Sequence, residues 1–387
     1  MSEERGSQRS PEEAEGLPPG AEALEAGADR GSPRERVAAR LEWQGAACRL
    51  LASPFYGSLL EKAAADVQSG GPAWSVLGDY AGAPRGWMLG LRLMGAVHRL
   101  VLEGQAPDLA RFYGSMGGEP GEQDAWEAFR RVLERHRDEL RLLMERPVQT
   151  NEVGRSAGLV GGFLSVARRF GLPLRLLEVG TSAGLNLLWD RFFYLADEGP
   201  ERGARPATWG DEASRVRLGG IVGAPPFDVQ GVRVAERRGC DASPLYPTSE
   251  DDRLTLMSYV WPDQTERVDL LRAALEVARL NPPLIERAAA SDWLGSELSE
   301  QRFGEATVVF HSIVMQYLSP GERERVSETI EFAGSNATEQ APVAWLRMEP
   351  GGVMAEVRLS MWPPGSEALI ARAGYHGRPV HWLGDGI

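Results

Sequence analysis

Acidic residues and small-residue turns follow one apolar run after another in the second half of this chain, the pattern of a rim that holds a nucleotide-like ligand. The clearest case is Leu174 to Gly184, LRLLEVGTSAG. An apolar run ends on Glu178 and passes into Gly180, Thr181, Ser182, Ala183 and Gly184, and a helix-like LNLLWDRFF follows. Missing side chains let a backbone approach a ligand, and a helix start offers free N–H groups. Three such cradles compete. A phosphate loop needs Lys after its last glycine, and the sole lysine, Lys62, lies far upstream. A dinucleotide fingerprint wants glycine at its first, third and sixth positions, which here are Gly180, Ser182 and Leu185. The third pattern, acid-x-Gly-x-Gly-x-Gly, is met by Glu178, Gly180 and Gly184, with Ser182 in the middle place.

Further acids follow later runs. Cys240-Asp241-Ala-Ser243-Pro244 offers a carboxylate able to grip two hydroxyls, or merely one that organises a turn. Ser291-Asp292-Trp293 offers an acceptor beside a ring able to stack on a base, or a helix cap. His311-Ser312 leads to Gln316-Tyr317, and Glu349-Pro350 closes the series. His311 and Tyr317 are the candidates on the substrate side, as base and as orienting phenol, although a buried structural histidine explains His311 as well. Arg155, in TNEVGR, suits a bidentate grip on a carboxylate, or a surface ion pair. Trp261 reads as core packing, and Asp263 with Glu266 as a capping box. The five histidines and two cysteines form no cluster with metal-ligand spacing, so no metal is expected.

The elements that would position these groups alternate. Strands are expected at 174–179, 232–237, 284–289, 306–311, 342–348, 354–361 and 378–383. Helices are expected at 183–190, 264–280, 321–333 and 365–373, with another approaching the first strand from Thr150. This alternation predicts an α/β fold with a doubly wound, mostly parallel seven-stranded sheet, whose ligand sits at the carboxyl ends of the strands. Residues 34–149 read as a helical N-terminal region, most plainly over Gln123–Met144, where apolar residues recur at three- and four-residue steps. Residues 1–33 are acidic and nearly free of large apolar groups, which predicts a disordered tail. The α/β domain spans 150–387, with an insertion at about 191–231 beside the site.

A formal charge of −13 argues against a nucleic-acid partner. No apolar run is long enough to span a bilayer, and the N-terminus lacks the features of a signal peptide. A soluble, cytoplasmic protein acting on a small molecule is expected; the oligomeric state is not legible.

Over residues 150–387 the chain resembles class I S-adenosylmethionine-dependent methyltransferases. That resemblance implies S-adenosylmethionine as cofactor, held by Glu178 and by Gly180 and Gly184, between which Thr181 and Ser182 complete the candidate cofactor turn. It further implies Asp241 on the ribose and Asp292 on the adenine, with the neighbouring Trp293 as the ring able to stack on that base. Two departures stand out: Ser182 replaces the middle glycine, and the insertion moves Asp241 far downstream. Over its whole length the chain is also similar to an uncharacterised bacterial family, domain of unknown function 2332. TNEVGR, EVGTSAGLNLLWDRF, RRGCDASP, YVWPDQ and VVFHSIVMQYL carry that likeness, which implies no substrate. A noncatalytic protein retaining the fold is the alternative to a methyltransferase.

Overall fold

A computed structural model describes residues 31–119, 122–197 and 206–384. Most of the expected disordered tail lies outside these. The first helix, α1 (Pro33–Leu50), starts where Ser32 and Glu35 form a reciprocal capping box and Pro33 takes the first turn. It opens a helical layer with α2 (Pro54–Ser69), α3 (Pro72–Leu77), α4 (Leu89–Leu102), α5 (Pro107–Ala110), α6 (Glu122–Arg135) and α7 (Arg137–Met144). Their apolar faces form a core of their own around Leu41, Tyr56, Leu93, Tyr113 and Phe129. The single helix expected over 123–144 breaks at His136, whose Nδ1 lies 2.9 Å from Glu139 Oε2.

α8 (Ser156–Phe170) leads into one mixed sheet of 11 strands. They are β1 (Leu174–Val179), β2 (Phe193–Asp197), β3 (Ala207–Gly210), β4 (Arg217–Val222), β5 (Val234–Asp241), β6 (Leu284–Arg287), β7 (Ala306–Ser312), β8 (Val343–Pro350), β9 (Ala355–Trp362), β10 (Ser366–Ala373) and β11 (Val380–Trp382). The order across the sheet is β3-β2-β4-β11-β10-β9-β8-β7-β1-β5-β6. The α/β expectation holds, but the count of seven does not. All seven expected strands are present, and four more join them. Three come from the segment read as an insertion, which adds an edge (β3-β2-β4) beyond β11. The fourth is β10, where a helix was expected. SEALIARA has good helix formers, yet it follows the Pro363-Pro364-Gly365 turn and pairs antiparallel with β9 and β11. Tertiary pairing, which buries Ile370 and Ala371, overrides local propensity.

Five strands, β6-β5-β1-β7-β8, form a parallel block, with crossovers running outward in both directions from β1. The switch point falls between β1 and β7. Helices α11 (Ala290–Glu297) and α12 (Pro320–Ser335) cover one face, around Leu177, Trp293 and Val309. Helix α8 packs on the other face, beside α9 (Glu250–Ser258) and α10 (Thr265–Leu280). It lies close because Gly161 and Gly162 leave room for Trp382 and for Leu346 with Ile370. Its Phe163 ring stacks on Trp189 at 4.6 Å.

The helical layer docks on the stretch from α9 to α10. Ser53 Oγ donates to Asp263 at 2.7 Å, Gln264 Nε2 to Leu51 O at 2.6 Å, and Arg99 Nη2 to Asp251 at 2.6 Å. Asp263 therefore serves the docking and the start of α2 (Phe55 N donates to it at 3.2 Å), not a capping box with Glu266. No helix among the described residues is long and apolar enough to cross a membrane.

Candidate functional site

The turn after β1 lies at the switch point, as its sequence requires, but it is not an open cradle. Gly180, Ser182 and Gly184 all take positive φ, at 67°, 52° and 71°. Ser182 thus adopts the backbone of the glycine it replaces, and a serine pays for that conformation. Its hydroxyl is buried and makes no hydrogen bond among the described residues. Ser182→Gly is expected to raise stability by about 1 kcal/mol, read from the urea midpoint. A destabilised variant would show that the hydroxyl has a structural partner.

The missing side chains at the turn admit protein. A Cβ at Gly180 would sit 2.6 Å from Val314, in the loop after β7, and one at Gly184 2.6 Å from Pro283, before β6. Four of the N–H groups here are also taken. Thr181 N donates to Cys240 O at 3.0 Å, Ser182 N to Asp241 Oδ2 at 2.9 Å, Gly184 N to Thr181 O at 2.8 Å, and Leu185 N to Asn151 Oδ1 at 2.9 Å. The helix expected at 183–190 is instead a 3₁₀ segment, Asn186–Arg191. Asn186 ties it back to α8, accepting from Ser156 Oγ at 2.7 Å. No helix start is left to offer donors.

What the rim presents instead is acceptors. Glu178 is buried, its carboxylate receives the Thr181 hydroxyl, and burial pushes its pKa up to about 8. Asp241, half-buried at the end of β5, also accepts from Ser243 N at 2.8 Å and from Gln149 Nε2 at 3.2 Å. Glu349, at the end of β8, holds the loop after β7. Its Oε1 accepts from His311 Nδ1 at 2.6 Å and from Val314 N at 3.0 Å. Its Oε2 is buried and unpartnered among the described residues. Next to Val314, Ile313 carries a φ of 54°, rare for a β-branched residue. Both loops at the switch point are therefore strained.

The other expected site residues separate into groups. Arg155 is the cation of the rim; its guanidinium donates to Ser312 O at 2.9 Å and Tyr375 O at 3.1 Å, with Glu152, Tyr317 and Glu349 nearby. Tyr317 is 67% exposed in the 3₁₀ turn after β7. His311 is completely buried: Nδ1 faces Glu349, and Nε2 accepts from Trp345 Nε1 at 3.0 Å. With both ring nitrogens engaged, it has the surroundings of an anchor for the loop. Trp293 is in the core beneath the sheet, donating to Glu286 at 3.2 Å, so its ring faces apolar side chains. Asp292 is exposed in the first turn of α11 and shares no hydrogen bond with Gly180 or Asp241. Glu322, from α12, occupies the start of that helix, accepting from Ser291 N at 2.9 Å.

Sequence reasoning missed a buried charge cluster. Glu152 is bound by Arg267 (Nε–Oε2 2.9 Å), and His376 and Arg155 adjoin it. The phrase TNEVGR was the available signal, though its partners lie more than a hundred residues downstream. This cluster borders a cavity of about 510 Å³, lined by Asp263, Thr265, Glu266, Arg267, His376 and Arg378 among others, which does not include the glycine turn. Among the described residues no group of three or more His, Cys, Asp or Glu could hold a metal.

No curated protein and no solved structure matches the chain. One family model, described as "Uncharacterized protein conserved in bacteria (DUF2332)", matches residues 38–382, which takes in both the helical layer and the sheet. On that match the chain belongs to the DUF2332 family.

Proposed function

We propose that the protein binds S-adenosylmethionine at the carboxyl ends of β1 and β5 and transfers its methyl group to a small-molecule acceptor. One observation carries this reading: the switch-point rim is rich in acceptors, while four backbone N–H groups of its glycine turn are already bonded. Phosphate groups need open N–H groups, and the four N–H groups named above are bonded already. A sulfonium and an ammonium bring positive charge, and a ribose brings hydroxyl donors. Asp241 and the free oxygen of Glu349 suit such a ligand, and so does Glu178 once it gives up the proton that burial holds on it. The block order β6-β5-β1-β7-β8, with antiparallel β9 beyond it, supports a class I methyltransferase-like arrangement inside the larger sheet. Arg155 is the group available for the methionine carboxylate, and exposed Asp292 is free to accept from adenine.

Isothermal titration should show S-adenosylmethionine and S-adenosylhomocysteine binding while NAD does not. The reverse result removes the reading. Asp241→Asn, which keeps an acceptor but loses the charge, should weaken cofactor binding by about 1–3 kcal/mol in a protein with unchanged circular dichroism. An unaltered dissociation constant would take Asp241 out of the site.

A noncatalytic role is favoured by one feature, the absence of a free nitrogen on His311. Methyl transfer is governed mainly by positioning and needs a base only where the acceptor loses its proton early. Cofactor binding without turnover of any offered acceptor would shift the reading to that role.

A further inference from the structure

The cavity of about 510 Å³ lies between the helical layer and the sheet, at the start of α10, and is large enough for a metabolite. Three features of its wall point to one ligand chemistry. No side chain caps α10: the Gln264 amide reaches Leu51 O, and its oxygen accepts from Arg267. The N–H groups of Thr265 and Glu266, which line the cavity, make no hydrogen bond among the described residues. A 16-residue helix with an open start carries positive potential there.

Second, His376 is half-buried against Trp261, with ring centroids 5.8 Å apart, and neither ring nitrogen has a hydrogen-bond partner among the described residues, which leaves both open to a ligand. Burial, with Arg267 and Arg155 nearby, lowers its pKa to about 4, although Glu152 opposes this, so the ring is neutral at pH 7. Third, Arg378 lies on the wall, paired among the described residues with Glu266 at 3.5 Å; that glutamate is 87% exposed, so the pair is weak. The other charges are committed. Arg267 is matched by Glu152, and Asp263 is turned to Ser53 and Phe55.

We propose that this cavity binds the anionic end of a small molecule, a carboxylate or a phosphate, through Arg378, the open start of α10 and the ring of His376. The site stands apart from the glycine turn and does not depend on the cofactor reading.

Nuclear magnetic resonance on protein with ¹³C-labelled histidine rings tests it, with the His376 signal assigned from its loss in His376→Gln. Inorganic phosphate and acetate are titrated separately. A saturable shift of the His376 signal is expected with at least one of them, and the tighter of the two names the anion. Binding should weaken at least tenfold in Arg378→Met, recover in part in Arg378→Lys, and stay unchanged in Arg279→Met at the far end of α10. His376 should also titrate at a higher pH when the anion is bound, because the charged ring gains a partner. No saturable shift with either anion in the unmodified protein overturns the proposal, and so does equal affinity in Arg378→Met.

Discussion

Glu178→Gln is expected to stabilise the protein strongly at alkaline pH and hardly at all near pH 4. Burial raises the folded pKa of Glu178 to about 8 from an ordinary value of 4.5. Below 4.5 the folded and unfolded chains are both protonated and the group costs nothing. Between 4.5 and 8 the unfolded chain ionises while the fold keeps its proton, so stability falls as pH rises. Above about 8 the loss is complete, roughly 3–5 kcal/mol for a shift of this size. Glutamine still accepts the Thr181 hydroxyl and has no charge to bury. Urea midpoints from pH 5 to pH 9 should therefore slope downward in the natural protein and less so in the variant. Parallel slopes would mean that Glu178 is ionised in the fold. If the cofactor's ammonium reaches Glu178, its binding near pH 7 should release a proton, seen as a buffer-dependent calorimetric enthalpy.

Arg175→Met should be among the most damaging single changes in the sheet. Arg175 lies on β1 with only 1% exposure, bonded to Glu236 at 2.7 Å and to both the carboxylate and the carbonyl of Glu297. It thereby ties β1 to β5 and to the end of α11. Without it, Glu297 stays buried with Arg238 as its remaining ion-pair partner, at 3.0 Å. Breaking a buried pair from one side costs about 3 kcal/mol or more. The urea midpoint should fall with an unchanged slope. A loss under 1 kcal/mol would mean that Arg238 alone neutralises Glu297.

The sequence displayed the fold's skeleton because the parallel block leaves a local trace. Runs such as LRLLEV and ATVVFHS are buried along their whole length, and they are broken by turns that need glycine or proline. β10 was hidden because SEALIARA is helical by propensity and a strand only through its neighbours. The acids at the strand ends were legible by position, but their surroundings were not. Glu349 was no more than a residue after the fifth run, and its partners His311 and Val314 come from another strand. The reverse holds for Trp293, which follows β6 as a stacking residue would but points into the core. His376 left no trace, since its neighbours Trp261 and Arg267 are remote in the chain.

Helix α8 has a consequence for how the molecule is made. Its glycine face is shaped for Trp382, Leu346 and Ile370, all from the final strands. During synthesis this apolar helix leaves the ribosome long before the surface that will cover it exists. The nascent chain therefore carries a sticky segment through most of its elongation, the circumstance in which chaperone engagement is most needed.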